Sequence, residues 1–95
     1  MPEAGLEAPV VVHLPRSLVV LFPGCERVMR VDGRTVLEVV KALDSRVPGL
    51  ANRVLDAGPV IRTHINMFVA GERATVHTPV APGTDVYVVP AVSGG

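Results

Sequence analysis

DGRTVLEVVKAL, residues 32–43, is the stretch on which the fold turns. Thr35 stands where a helix N-cap belongs, Glu38 follows three residues later to complete a capping box, and apolar residues recur at Val36, Leu37, Val40, Leu43 and on to Val47. The cap oxygen accepts an orphan N–H of the first turn while the acid reaches back to another. The spacing lays the apolar side chains along one stripe. Arg34, Glu38, Lys41 and Asp44 are left for the wet face, with Lys41 three residues from each acid, a spacing that brings opposite charges together on a helix surface. Pro48-Gly49 ends the helix.

One such helix in a chain of 95 residues needs one surface to cover, and the flanking sequence supplies strands. Upstream, Val10 to Leu14 is a valine-rich run stopped by Pro15, and Arg27 to Val31 is a second strand closed by Asp32-Gly33; together they suggest a hairpin. Leu18 to Phe22 reads as a short helical turn within the loop that Pro23-Gly24 closes. Downstream, Leu50 to Leu55 forms a shorter helical turn before the Gly58-Pro59 break. His64 to Val69 then alternates Ile65, Met67 and Val69 against Asn66 and Phe68, and Ala70-Gly71 turns the chain back. The last strand, Asp85 to Val89, sets Val86 and Val88 on one side and Tyr87 and Val89 on the other. Pro90 has no N–H to donate, so pairing is expected to stop there and the tail to leave the sheet.

The order strand, strand, helix, strand, short elements, strand is that of the ubiquitin-like β-grasp. The expected fold class is α+β, a mixed sheet of four to five strands covered by one main helix, its first and last strands parallel neighbours in the middle through a right-handed crossover. Residues 1–8 are expected to form a loose arm, 9–90 the domain and 91–95 a flexible Gly-Gly tail.

Nine Lys plus Arg balance nine Asp plus Glu with no basic run, which argues against nucleic acid as a partner. The opening MPEAGLEA lacks the positive start of a secretory signal, and the apolar runs are too short to span a bilayer. With a single cysteine, Cys25, the expectation is a cytoplasmic protein away from membranes, monomeric when free. High mean hydropathy suggests that some apolar residues remain outside as a contact patch.

Internal catalytic constellations are missing: the sequence has no GxxxxGK[ST], no HExxH, no CxxC and no Gly-x-Ser-x-Gly. His13, His64 and His77 match no metal spacing and are read as ordinary hydrogen-bonded histidines, and Cys25 as a bland loop cysteine, so no metal site is expected. The tail is different. Ala91 to Gly95 has an extended reach of about 17 Å, enough to enter a cleft while the domain stays outside. Glycines at 94 and 95 suit a narrow channel, since they carry no Cβ. A terminal carboxylate is ionised at neutral pH and can attack the α-phosphate of ATP.

With DGRTVLEVVKAL, HINMFVAGE and PGTDVYVVPAVSGG in view, the chain resembles the MoaD/ThiS ubiquitin-like sulfur carriers over nearly its whole length. The resemblance implies that Gly95, delivered by Gly94, is adenylated by an E1-like enzyme, which uses the ATP, and is then converted to a thiocarboxylate. No cofactor would be held by the chain itself, which acts as a carrier and not as an enzyme. HLPRSLVVLFPG looks like the cysteine-forming CysO type, implying a cysteine synthase-like acceptor or another thiolation enzyme. The ending PAVSGG is also close to that of MoaD, so the small subunit of molybdopterin synthase is the alternative; a ubiquitin-like modifier without sulfur chemistry is a third. Phe68, Tyr87 and Val89 on the open face, with Arg73 after the turn and Val92 and Ser93 in the tail, are the expected partner contacts. The equivalent face of ubiquitin-like proteins docks their activating enzymes.

Overall fold

The computed structural model describes residues 8–91. Its core is a mixed five-stranded sheet in the order β2 (Val28–Val31), β1 (Val10–His13), β7 (Asp85–Pro90), β5 (Ile65–Val69), β6 (Glu72–Arg73). β1 pairs antiparallel with β2 as the expected hairpin and runs parallel to β7, with Val12 opposite Val86, so the first and last strands lie side by side. β5 pairs antiparallel with β7 and with β6.

The helix α2 (Val36–Arg46) covers one face. Thr35 caps it, its Oγ1 accepting from the Glu38 N–H at 3.2 Å. The return bond of the box is displaced by one residue: Glu38 Oε1 accepts from the Arg34 N–H at 2.9 Å. Two more orphan donors of the first turn are satisfied by the chain itself, since Val36 N–H and Leu37 N–H donate to the carbonyls of Thr78 and Val76. This pairing places Val76 and Val80 in the interior, although their segment carries no regular hydrophobic period.

The buried stripe of α2 is Val36, Val39, Val40 and Leu43, followed by Val47. Leu37, expected on that stripe, is only half-buried, and Val39 takes its place. Positions 36, 39, 40 and 43 are the ones that a period of 3.6 brings to one face, whereas 37 is turned about 100° from 36. Gly33 lets the helix sit close to the incoming strand: a Cβ there would lie 2.8 Å from Val39 N. Beneath the stripe lie Val10 and Val12 of β1, Met29 and Val31 of β2, Met67 and Val69 of β5, and Val86 and Val88 of β7, all buried.

Asp44, expected on the wet face, is half-buried and has a different task. Its Oδ1 accepts from the N–H groups of Gly49 and Ala51 at 3.0 Å, tying the start of α3 (Leu50–Val54) to the end of α2. Lys41 is exposed and makes no ion pair with a described acid. The helical turn upstream falls earlier than predicted, at α1 (Arg16–Val19), because the Pro15 carbonyl accepts from Leu18 and Val19 and so starts the turn at the proline; further turns carry the chain to Phe22. Leu55, expected to end the third helix, instead opens a small antiparallel pair, β3 (Leu55–Asp56) and β4 (Val60–Ile61), that the sequence does not signal.

Candidate functional site

Period-2 alternation with one face under α2 leaves the other face open, and the strand registers fix what stands on it. One row crosses all five strands: Val28 opposite His13, His13 opposite Tyr87, Tyr87 opposite Phe68, and Phe68 opposite Arg73. Tyr87 is 46 % exposed and Val28 39 %; Phe68 and His13 are half-buried and Arg73 is exposed. Phe68 therefore lies on the side away from the helix, as its neighbours Met67 and Val69 require. Val89 is half-buried on the same face, opposite Asn66.

His13 is a member of this row that sequence reasoning passed over as an ordinary histidine. Its ring stacks on Tyr87 with centroids 4.1 Å apart and planes within 7°, and its Nε2 is hydrogen-bonded to Asp85 Oδ1 at 2.8 Å. Asp85 and Tyr87 are i and i+2 on β7, so the parallel register with β1 fixes both contacts at once. Only the pairing of the chain's first and last strands brings these residues together, and no local motif announces it.

The strand leads to the tail without the break expected at Pro90. Ile65 is in register with Pro90, and the Ala91 N–H donates to the His64 carbonyl at 2.9 Å. Antiparallel pairs alternate between bonded and non-bonded. With Ala91 bonded to His64, Pro90 falls on a non-bonded pair, where the N–H it lacks would point toward the β1 side, and β1 has already ended at His13. The proline costs the ladder nothing there. Val92, Ser93, Gly94 and Gly95, the expected delivery arm, lie outside the described residues.

The remaining singled-out residues are dispersed. Among the described residues no cluster of three or more His, Cys, Asp or Glu could hold a metal, and no helix is long and apolar enough to cross a membrane. Cys25 is a half-buried free thiol. Burial, helped by the neighbouring Glu26 carboxylate, raises its pKa above the ordinary thiol value, which disfavours the reactive thiolate.

Comparison with known proteins agrees with this geometry. A chain in the crystal structure of the Amycolatopsis orientalis BexX/CysO complex is 28 % identical, with a TM-score of 0.79, covering 90 % of this chain and 99 % of that one. SAMP1 from Haloferax volcanii is 30 % identical at a TM-score of 0.75, covering 93 % of this chain and all of that one. Mycobacterium tuberculosis CysO, 24 % identical over 87 % of this chain and 99 % of its own, has a TM-score of 0.78 and shows the shared fold. A search of curated proteins finds no match. The model of the ThiS family matches residues 20–95, from the turn after α1 through β2, α2 and the pairing of β5 with β7 to the last glycine. The chain therefore belongs to the ThiS family, as a ubiquitin-like protein of the carrier and modifier kind.

Proposed function

We propose that this protein is a cytoplasmic sulfur carrier whose Gly95 carboxylate is the working group. An E1-like enzyme joins that carboxylate to the α-phosphate of ATP with release of pyrophosphate. A sulfur donor then displaces AMP to leave a thiocarboxylate. The single observation that carries the reading is the family match, which runs through Gly94 and Gly95 and spans most of the chain. The domain's part is to present the tail: β7 holds it up to Ala91, pinned by His64, and the open-face row beside its root offers Tyr87, Phe68, Val89 and Arg73 to the activating and acceptor enzymes, with Val92 and Ser93 following into the cleft. ATP belongs to the activating enzyme. The likeness to a chain of the BexX/CysO complex favours a thiolating acceptor, either a cysteine synthase-like enzyme or one acting on a specialised metabolite, over molybdopterin synthase.

The 30 % identity with SAMP1, a small archaeal modifier protein, supports a second reading in which Gly95 is joined to lysines of other proteins. Intact mass separates the two. A carrier charged with its enzyme and a sulfide source gains the mass difference between sulfur and oxygen, and a variant lacking Gly95 stays uncharged while remaining folded. A wild-type chain that never shows the sulfur species, but appears in branched peptides on lysines, overturns the carrier reading in favour of the modifier.

A further inference from the structure

The end of β7 is ringed by arginine. One groove beside Val89 is lined by His13, Pro15, Arg16, Arg27, Val28 and Tyr87. A second, beside Pro90, shares Pro15 and is lined by Leu18, Leu21, Arg53, His64 and Ile65. A third continues from it through Arg53 and His64 to Asn52 and Arg62. These adjoining grooves carry four arginines and no carboxylate in their walls. Arg16, Arg27 and Arg53 are exposed and form no ion pair with a described acid. Arg62 is partly engaged, donating from Nε to the Asn52 carbonyl and lying 3.7 Å from Asp56. Glu26 adjoins Arg27 in sequence and Asp85 reaches along the strand to bond His13, so both carboxylates stand beside the first groove without lining it.

In a chain whose formal charge is zero, such a ring means that the negative charge is elsewhere. The strand directions place part of it. Asp85 begins β7, Glu72 follows the β5–β6 turn, and Asp32 follows the end of β2, all at the end of the sheet opposite the tail root. Arg34 and Arg73 offset part of that acid, and Glu26 and Asp56 offset part of the arginine near the tail root, so among the described residues a modest surplus of positive charge lies toward the tail, which the zero net charge conceals.

We propose that this arginine collar docks an acidic rim at the mouth of the channel through which the adenylating enzyme receives the tail. The inference rests on the carrier reading and adds to it the chemistry of the partner's surface. Because the collar surrounds the root of the tail, carboxylates set around a channel mouth would meet arginine on several sides and orient the domain before the tail enters. Charge placed at a rim acts chiefly on association and its salt dependence. The apolar walls between the arginines, Val28, Tyr87, Leu18 and Leu21, fit a protein surface and not a phosphate backbone.

The test is pyrophosphate exchange with the purified enzyme that adenylates the wild-type chain, measured over a salt series. The double variant Arg16→Glu with Arg53→Glu is expected to lower kcat/KM about a hundredfold at low salt, with kcat nearly unchanged, and the difference is expected to shrink as salt rises. Lys41→Glu, on the outer face of α2, shows the effect of a charge reversal away from the collar and is expected to behave as wild type. A folded double variant with wild-type kcat/KM, or a wild-type rate indifferent to salt, overturns the collar while the carrier reading stands. Failure of the wild-type chain to be adenylated by any enzyme strikes the carrier reading instead. The collar is then judged by NMR titration of the whole protein with a glutamate decapeptide and with oligouridylate. Shifts at Arg16, Arg27 and Arg53 with the peptide support an acidic protein partner, and shifts with the oligonucleotide alone overturn it.

Discussion

Tyr87→Ala should separate docking from folding, because the Tyr87 side chain is divided almost evenly between the two. A tyrosine buries about 150–250 Å² when fully covered. With 46 % of the residue exposed, on the order of 90 Å² remains for a partner to cover. At about 25 cal/mol per Å² that is worth about 2 kcal/mol, close to a thirtyfold loss of affinity on truncation, and of the size expected for an aromatic near the centre of an interface. The covered half rests in part on the His13 ring, and its loss should cost the fold about 2 kcal/mol as well. Urea denaturation gives the folding cost, and titration calorimetry of the folded variant against the activating or acceptor enzyme gives the binding cost. Val60→Ala removes a side chain of similar exposure on β4, away from the row, and should leave affinity unchanged. If folded Tyr87→Ala binds both enzymes as wild type does, the open face is not where they dock. Phe68→Ala is the coarser probe: Phe68 is half-buried, so more of its surface belongs to the fold and less is left to a partner.

Two further substitutions test the scaffold. Ala70 and Gly71 join β5 to β6 with φ of 51° and 85°, a pair of left-handed residues that suits a two-residue hairpin but strains alanine; Ala70→Gly is expected to stabilise the domain by about 1 kcal/mol and Gly71→Ala to destabilise it by about as much, both read from denaturation midpoints. Thr35→Ala removes the oxygen that accepts from Glu38 N–H and should cost about 1 kcal/mol, whereas Thr35→Ser should restore most of it.

Most of the scaffold is legible in the sequence because its signals are local. Thr35 and Glu38 announce the start of α2, Pro48-Gly49 its end, and alternation at Met67–Val69 and Val86–Val88 separates the covered face from the open one. The misreadings have one physical origin, which is that tertiary partners decide what local pattern leaves undetermined. Val39 is the exception, because the 3.6-residue period of Val36, Val40, Leu43 and Val47 already turns it, and not the equally apolar Leu37, to the covered face. Asp44 looks like a surface acid until Gly49 and Ala51 arrive to use it. Pro90 reads as a breaker of pairing, yet the register with β5 puts it on a pair that needs no N–H from it.

The candidate site divides along the same line. Phe68, Tyr87, Val89 and Arg73 can be placed on one face from alternation and a single turn. His13 joins them only because β1 runs parallel to β7, bringing residue 13 beside residue 87. The arginines at 16, 27, 53 and 62 come from four separate segments, and scattered as they are they look like background in a chain of zero net charge. The fold collects them at one end because β2 and β5 begin where β1 and β7 finish, so the loops entering the first pair and leaving the second crowd around the tail root. A β-grasp protein of this kind needs no charge motif in its sequence to carry a charged docking end. Two parallel central strands with antiparallel neighbours suffice, provided the loops at the C-terminal end of β7 are the ones that hold the arginines.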